Sequence, residues 1–504
     1  MKEFRIAAVF SDHMVLQRNK NIKVFGWGED DSVVTVSFRG ITAKSKVKDG
    51  RWTAILPPME AGDGYEMNIS CNDKVITFRD IAIGEVWLAG GQSNMEFELQ
   101  NCIGGEDVLQ NDVNPQVRFY YTNKIAYQDD YFYEMERNSS WEVFGDKGTK
   151  AWSAVGYFFG RKLAKELGVT VGIIGCNWGG TSASAWMSRE SLEEDKDLRT
   201  YLDEYDKNIA DKTLEEQRKE HQEYIDYQVK WDKRADICRE ENPKVTWNEL
   251  IERCGPNYYP GPINSFSPFR PAGLYQCMLQ RIMPYTLSGF IYYQGESDDH
   301  KPHFYQKLLT RLIRLWREDW EDDLLPFLFV QLPMHRYGAD PDYKHWCLIR
   351  EAQMRTFQTV KNTGIAVILD CGEFDEIHPK DKAPVGERLA LQALSNVYGK
   401  LEDEQAFGPI YRSLTYKDGG IELYFDYAEG GFVIQGDLSG FEIAGEDKQY
   451  KEAKASIRGN TIFVQSDEVL EPLYARYCWT NYGEVNVFGT NGIPLAPFRT
   501  SRFA

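Results

Sequence analysis

Three side chains that lie far apart in the sequence have the types that acyl transfer to a serine requires: Ser93, Asp375 and His378. A serine hydroxyl is a weak nucleophile near neutral pH, and it needs an imidazole base that a carboxylate holds in the correct tautomer. In "DEIH" the aspartate precedes the histidine by three residues, so one turn of loop can place the carboxylate on Nδ1 and leave Nε2 for Ser93. The spacing predicts a Ser-His-Asp triad whose base and orienting acid share one short segment.

A second set of residues could stabilise the oxyanion that acyl transfer creates. Such an intermediate needs two or three donors aimed at it. The backbone N–H of Ser93 is one candidate, and "WGGT" offers another at Gly179 or Gly180, where a side chain would block the substrate. The side-chain amide of Gln294 is the third candidate. For the glycines alone, a tight turn between strand and helix explains the residues equally well.

Four further side chains are expected to touch the substrate: Gln92, Trp178, Glu296 and Arg270. Arg270 stands in a loop rich in proline and aromatic residues, and its guanidinium is a candidate for a charge-assisted bond to a substrate carboxylate. The alternative for this arginine is structural, with its stem packed on Phe269 and its head paired with an acid.

A metal site is the rival interpretation of "DDHKPH", in which Asp298, Asp299, His300 and His303 could be ligands. The spacing is generic, and an acid-rich helix start explains it better. Neither a P-loop nor a G-x-G-x-x-G motif is present in the sequence. We therefore predict no metal and no cofactor.

The elements that must position these residues follow from the hydrophobic pattern between 81 and 404. Apolar runs alternate with helical stretches, which predicts an α/β domain with a doubly wound parallel sheet. The predicted strands are 85–89, 169–175, 287–293, 326–331 and 364–370, and the predicted helices include 153–167, 303–319 and 344–360. The polar clusters follow the first, second, third and fifth of these strands, so they should meet at the carboxyl edge of one sheet.

Two other sequence patterns occur, one on either side of this domain and one as an insertion within it. Residues 1–80 and 405–504 carry short alternating runs separated by turn residues, which predicts an antiparallel β segment at each end of the chain. Residues 188–256 are a charge-rich helical insertion, with a capping box predicted at "TLEE" and no chemistry assigned to it.

Composition limits the partners. The net charge of −19 argues against nucleic acid or an anionic membrane surface as a partner. No apolar run approaches the length of about 20 residues that a spanning helix needs, and the N-terminal stretch lacks the pattern of a signal peptide. Nine scattered cysteines without CxxC pairs fit reduced thiols, so we expect a cytoplasmic protein. The oligomeric state stays open.

The combined motifs resemble a known family. "GQSNM" after a strand, "NWGGT", "YYQGESD" and "DEIHP" resemble the SGNH (GDSL-like) hydrolases, and specifically the sialate O-acetylesterase group. "FSDHMVLQ", "RPAGLYQCML" and "GIPLAPFRTSRF" are similar to the same group, so the resemblance extends over most of the chain. The G-x-S-x-G elbow of the α/β-hydrolases is not met, because Met95 occupies its last position.

The resemblance implies a fold and a function. It implies a flavodoxin-like three-layer domain with Ser93 as nucleophile, Asp375 and His378 as its partners and the oxyanion glycine at Gly179 or Gly180. It also implies that the flanking β segments form an accessory β domain. Many SGNH enzymes have asparagine where this chain has Gln294. The implied substrate is an O-acetylated sialic acid or a sialoglycan fragment. Alternatives are an acetylxylan or other glycan deacetylase of the same fold, and a catalytically silent carbohydrate-binding protein.

Overall fold

The computed structural model describes residues 3–129, 131–242 and 245–502. Its first strands form antiparallel sheets in which one face is buried and the other exposed, as β6 shows with its strict alternation. The strands pair in the orders β1-β3-β6 and β5-β4-β7. They are β1 (Arg5–Ile6), β2 (Val15–Gln17), β3 (Ile22–Trp27), β4 (Val33–Phe38), β5 (Ile41–Lys46), β6 (Arg51–Leu56) and β7 (Gly62–Cys71).

The central sheet is mixed. Its strands are β8 (Lys74–Gly91), β9 (Val117–Tyr121), β10 (Trp141–Val143), β11 (Val171–Asn177), β12 (Gly289–Tyr293), β13 (Phe327–Gln331) and β14 (Thr363–Val367). They lie in the order β10-β9-β11-β8-β12-β13-β14. All neighbours are parallel except β10, which runs antiparallel to β9. Strands β11 to β14 are buried along their whole length, which explains their continuous apolar sequences.

Strand β8 joins the N-terminal segment to this sheet. Its first part pairs with β7, and its second part lies between β11 and β12. The predicted boundary near residue 80 therefore falls inside one continuous strand of 18 residues.

Helices cover both faces of the central sheet. They are α1 (Ser93–Glu96), α2 (Gly105–Asn111), α3 (Phe132–Glu136), α4 (Ala154–Leu167), α5 (Arg189–Glu193), α6 (Arg199–Ile209), α7 (Leu214–Glu241), α8 (Trp247–Cys254), α9 (Gln280–Ile282), α10 (Pro302–Trp320), α11 (His345–Thr359), α12 (Ala383–Asn396) and α13 (Asp403–Ala406). Helix α4 packs with α12 on the face where Trp87 meets Phe159, and α10 packs with α11 on the other, where Trp316 meets Phe290. None of the helices among the described residues is long and apolar enough to cross a membrane.

The last part of the chain is again antiparallel. Its strands are β15 (Ile410–Lys417), β16 (Gly420–Asp426), β17 (Phe432–Ile434), β18 (Phe441–Ala444), β19 (Lys451–Glu452), β20 (Lys454–Arg458), β21 (Thr461–Gln465), β22 (Tyr474–Tyr477), β23 (Val487–Gly489) and β24 (Phe498–Arg499). They form sheets β15-β16-β21-β20, β17-β23 and β19-β18-β22-β24. Arg499 is anchored on the α/β core by an ion pair to Glu351 in α11 at 2.8 Å.

The three predicted helices and four of the five predicted strands are confirmed within a few residues, whereas the strand predicted at 85–89 is the second part of the longer β8. The capping box is confirmed too, because Thr213 and Glu216 satisfy each other's backbone N–H groups at the start of α7. Strand β9 was not predicted, because its sequence "VRFYY" carries a charge inside a short run. Helix α12 was also not predicted.

Candidate functional site

The polar clusters meet at the carboxyl edge of the central sheet, as the sequence predicts. The loop after β8 is held to its neighbours on both sides, because the Gln92 N–H donates to the Tyr293 carbonyl at 3.1 Å and the Trp178 N–H donates to the Gly91 carbonyl at 3.2 Å. Ser93 begins α1 directly after Gln92. The nucleophile candidate therefore stands at a rigid junction of three strands.

Ser93 and His378 lie within hydrogen-bond distance. His378 Nε2 is 2.8 Å from Ser93 Oγ, although the two residues are 285 positions apart. When Nδ1 carries the imidazole proton, Nε2 accepts the proton of the serine hydroxyl, which is the arrangement a general base needs. Both residues are half-buried. The structure thus brings together the two residues that were predicted as nucleophile and base.

The acid beside His378 Nδ1 in the structure is Glu376, whereas Asp375, the acid predicted for the triad, accepts a hydrogen bond elsewhere. Glu376 Oε1 lies 3.6 Å from His378 Nδ1 and accepts the backbone N–H of His378 at 2.8 Å. Asp375 adopts a left-handed φ of 58°. Its Oδ1 accepts the Gly338 N–H at 3.0 Å. This backbone conformation turns the aspartate away from the imidazole and leaves the next residue facing it.

Burial and nearby charges set the proton affinity of His378. Burial lowers the pKa of His378, the Glu376 carboxylate opposes this effect, and the Lys382 ammonium adds to it. A base with a lowered pKa stays neutral, and so able to accept a proton, down to mildly acidic pH.

Of the two glycines, Gly179 is the one beside the nucleophile. A Cβ built on Gly179 would lie 3.2 Å from the Ser93 Cβ, so a side chain there would press on the reacting group. Gly180 has a left-handed φ of +72°, and a Cβ on it would lie 1.6 Å from the Tyr259 hydroxyl. Gly180 therefore serves the turn and the packing of Tyr259.

The Gly179 N–H is occupied in this structure by a carboxylate of the same chain. Glu96 Oε2 accepts it at 2.8 Å, and Glu96 also forms an ion pair with Lys124. The Lys124 ammonium lies 5.6 Å from the centre of the Trp178 ring. An anionic oxygen thus already sits at the N–H that would face an oxyanion.

The side-chain amide of Gln294, predicted as an oxyanion donor, has partners within the protein in this structure. Its Nε2 donates to Asp298 Oδ2 at 2.6 Å and to the Thr181 carbonyl at 3.3 Å, so both amide protons are used. Its Oε1 accepts the Tyr305 hydroxyl at 2.8 Å. Gln294 is buried and ties the loops after β11 and β12 together.

Gln92 and Glu296, predicted to bind substrate, have structural partners. Gln92 is buried, and its Oε1 accepts the Ser297 N–H at 3.2 Å. Glu296 is buried and accepts from Asn94 Nδ2 at 2.7 Å. Asn94 in turn accepts from Lys382, another residue that the sequence interpretation missed. Trp178, by contrast, is half-buried beside Gly179 and remains a candidate for substrate contact.

Arg270 does not line the cavity next to the catalytic pair. Its Nη2 donates to the Ala126 carbonyl at 3.3 Å, and it lines a separate cavity with Ser188 and Gln276. Phe269, the residue before it, packs its ring against Tyr259 at 5.4 Å instead. This placement favours the structural alternative for Arg270.

A cavity of about 410 Å³ opens at the loop after β11 that carries Gly180. Gly180 and Ser297 connect it to the site, and much of its wall is aromatic. Tyr201 and Tyr205 come from α6, within the insertion to which no chemistry was assigned. Their spacing of four residues, which puts two rings on one helix face, was the available signal.

The residues of the metal hypothesis are divided among different partners. Asp298 accepts from Ser182, the Ala183 N–H, Tyr201 and Gln294, and Asp299 pairs with His345 Nε2 at 3.2 Å. No group of three or more His, Cys, Asp or Glu side chains in the described residues is placed to hold a metal ion.

Comparisons with known proteins bear out the resemblance predicted from the sequence. A family model described as carbohydrate esterase, sialic acid-specific acetylesterase, matches residues 262–395. The chain is 26% identical to the sialate O-acetylesterase of Mus musculus, over 98% of this chain and 94% of that protein. It is also 26% identical to the Homo sapiens protein of the same name, over 95% of this chain and 88% of that protein. A crystal structure of a carbohydrate acetylesterase from Xanthomonas citri is 28% identical, with a TM-score of 0.78 over 99% of both chains.

Proposed function

We propose that this protein is a serine esterase that removes O-acetyl groups from sialic acids, with Ser93 as nucleophile and His378 as its base. The observation that carries the mechanism is the 2.8 Å separation of Ser93 Oγ and His378 Nε2 at the carboxyl edge of the sheet. The similarity to sialate O-acetylesterases over nearly the whole chain supports the substrate.

The reaction has two steps. Ser93 Oγ attacks the acetyl carbonyl carbon while His378 takes the hydroxyl proton, and the imidazolium then gives this proton to the departing sugar oxygen. Water, deprotonated by His378, attacks the acetyl-serine, and acetate leaves as the proton returns to Ser93. Glu376 faces Nδ1 and stabilises the imidazolium that forms in both steps.

The oxyanion of each step is stabilised by backbone donors. The Ser93 N–H stands at the first position of α1, where a helix supplies no acceptor of its own. The Gly179 N–H is the second donor. Since Glu96 accepts this N–H at 2.8 Å, the carboxylate must move aside when the acetyl group binds.

The proposed fold is the doubly wound SGNH type. Helices on both faces of a largely parallel sheet, with the nucleophile after one central strand and the histidine after an edge strand, support it.

A neutral acetylated glycan is the second candidate substrate. The cavity beside Ser93 is lined by Tyr201, Tyr205, Tyr259 and Phe269 and by the acid Glu204, a lining that suits a sugar face more than a carboxylate. A catalytically silent binding protein is disfavoured, because such a protein has no need for a base within hydrogen-bond distance of a half-buried serine.

The test is released acetate from O-acetylated sialic acids and from acetylated xylo-oligosaccharides, measured in parallel. Ser93→Ala should lower turnover by several orders of magnitude while the protein stays folded. Ser413→Ala, at an exposed serine of β15, is the matched control and should leave turnover unchanged. Near-normal turnover in the Ser93 variant would contradict the mechanism, and selective turnover of the xylo-oligosaccharides would identify the second substrate.

A further inference from the structure

Lys382 is buried where a cation is costly. Its exposed fraction is 0%. It also stands at the N-cap of α12, where the helix dipole favours negative charge. Burial lowers the pKa of Lys382 to about 8. Because both desolvation and the dipole oppose the ammonium, stability alone is a poor reason for a lysine here.

The ammonium has one hydrogen-bonding partner that leads to the catalytic pair. Lys382 Nζ donates to Asn94 Oδ1 at 2.5 Å. Asn94 Nδ2 donates to Glu296 Oε1 at 2.7 Å and to the Ile377 carbonyl at 2.9 Å. A lysine only donates and a carboxylate only accepts, so these two partners fix which way the buried amide points.

This amide connects the two catalytic segments. Asn94 follows Ser93 in α1, and Ile377 precedes His378 in the loop after β14. The Asn94–Ile377 hydrogen bond therefore holds the base segment against the nucleophile segment, one residue away from each reacting group. If the amide flipped, its oxygen would face the Ile377 carbonyl and the bond would be lost.

We propose that Lys382 is a positioning residue of the esterase site, which fixes the Asn94 amide so that it holds His378 against Ser93. This role rests on the proposed function. Glu296 acts with the lysine, since it accepts the second amide proton and balances the buried positive charge. The alternative is a purely structural lysine, which packs on the Phe97 ring at 4.7 Å and the Tyr293 ring at 5.5 Å.

The first test is Lys382→Met, which keeps the length of the side chain and removes the donor. We expect kcat to fall about 100-fold, the cost of misplacing a reacting group by about 1 Å, with KM changed less than about threefold. The acid limb of kcat/KM should move to higher pH, because removal of a nearby cation raises the pKa of His378. The charged or titratable groups facing His378 are Glu376 in its own loop, Glu96 in α1, His335 in the loop after β13 and Lys382 itself.

A matched control separates positioning from stability. Arg317 is a buried cation of α10 that donates to the carbonyls of Leu325, Lys361 and Asn362. Arg317→Met should lower the melting temperature without moving the acid limb or kcat. A Lys382→Met protein that behaves like this control, destabilised with normal kcat, would overturn the proposal.

Two further variants keep the proposal testable if Lys382→Met does not fold. Lys382→Met with Glu296→Gln removes both buried charges, and it should regain stability while kcat stays low. Asn94→Ser removes the amide and should lower kcat to a similar extent. Normal kcat in a folded form of either variant overturns the role of Lys382. If the wild-type protein did not hydrolyse the ester, or if Ser93→Ala hydrolysed it at the wild-type rate, the proposed function itself would be refuted.

Discussion

Exchange of the two neighbouring acids tests which of them assists His378. Glu376→Gln removes the charge beside His378 Nδ1, and Asp375→Asn removes the charge that faces the Gly338 N–H. Both replacements keep the shape of the side chain. Asparagine also tolerates the left-handed φ of 58° at position 375, so this variant tests charge and not backbone strain.

The size of the effect follows from the distance. Opposite unit charges 3.6 Å apart attract by about 1 kcal/mol at the dielectric constant of water and by about 5 kcal/mol at an effective value of about 20. The side chains of His378 and Glu376 are 39% and 45% exposed, so solvent screening places their attraction near the lower of these two energies. A loss of about 1 to 2 kcal/mol of transition-state stabilisation is a loss of about 5- to 30-fold in kcat/KM for Glu376→Gln. Asp375→Asn should change kcat/KM less than about threefold, which corresponds to less than about 1 kcal/mol of transition-state stabilisation.

The assay is steady-state hydrolysis of an O-acetylated sialic acid and of 4-nitrophenyl acetate across pH. Wild-type kcat/KM should fall with acid only below about 6.5, the ordinary pKa of histidine, because burial lowers the pKa of His378. Removal of the Glu376 anion disfavours the imidazolium, so the acid limb of Glu376→Gln should move to still lower pH. A loss of about 1000-fold or more in Asp375→Asn, with Glu376→Gln unaffected, would refute the assignment.

Two other predictions concern the residues around the nucleophile. Glu96→Ala frees the Gly179 N–H, and a hydrogen bond to a partly exposed carboxylate is worth about 1 kcal/mol. We therefore expect kcat/KM for 4-nitrophenyl acetate to rise about fivefold. A fall in kcat/KM would mean that Glu96 assists the reaction. Arg270→Ala should reduce hydrolysis of the sialic acid ester and of 4-nitrophenyl acetate equally, because Arg270 donates to the Ala126 carbonyl outside the catalytic cavity; a loss confined to the sialic acid ester would restore it as the carboxylate-binding residue.

The sequence was sufficient to predict those site residues whose location depends only on which strand they follow. Ser93, the Gly179–Gly180 pair and His378 were predicted from their positions after strands of one sheet, and parallel strands bring their carboxyl ends to a common edge. The strands themselves were predicted because buried parallel strands are continuously apolar. Chain direction and hydrophobic pattern thus determine which residues meet.

The sequence was insufficient where function depends on the direction of a side chain within a loop. Asp375 and Glu376 are adjacent carboxylates, and the spacing to His378 allowed either to reach Nδ1. The positive φ of Asp375 decides between them, and this angle depends on contacts with the segment around Gly338, which spacing does not reveal. A loop residue held by a distant backbone group cannot be oriented from its own neighbours in sequence.

Buried charge was the feature hardest to interpret from the sequence. Glu296 stands in the polar cluster "QGESDD", where a substrate contact was the natural interpretation, and Lys382 resembles any loop lysine. They belong to one buried group only because Asn94, which precedes Glu296 by 202 residues, lies between them. Neither desolvation nor the helix dipole favours a lysine ammonium at this helix N-terminus, which supports the positioning role proposed for Lys382. In the proposed role, Lys382 orients the Asn94 amide beside Ser93, and the hydrogen bond from Asn94 to the Ile377 carbonyl passes this orientation to the loop of His378.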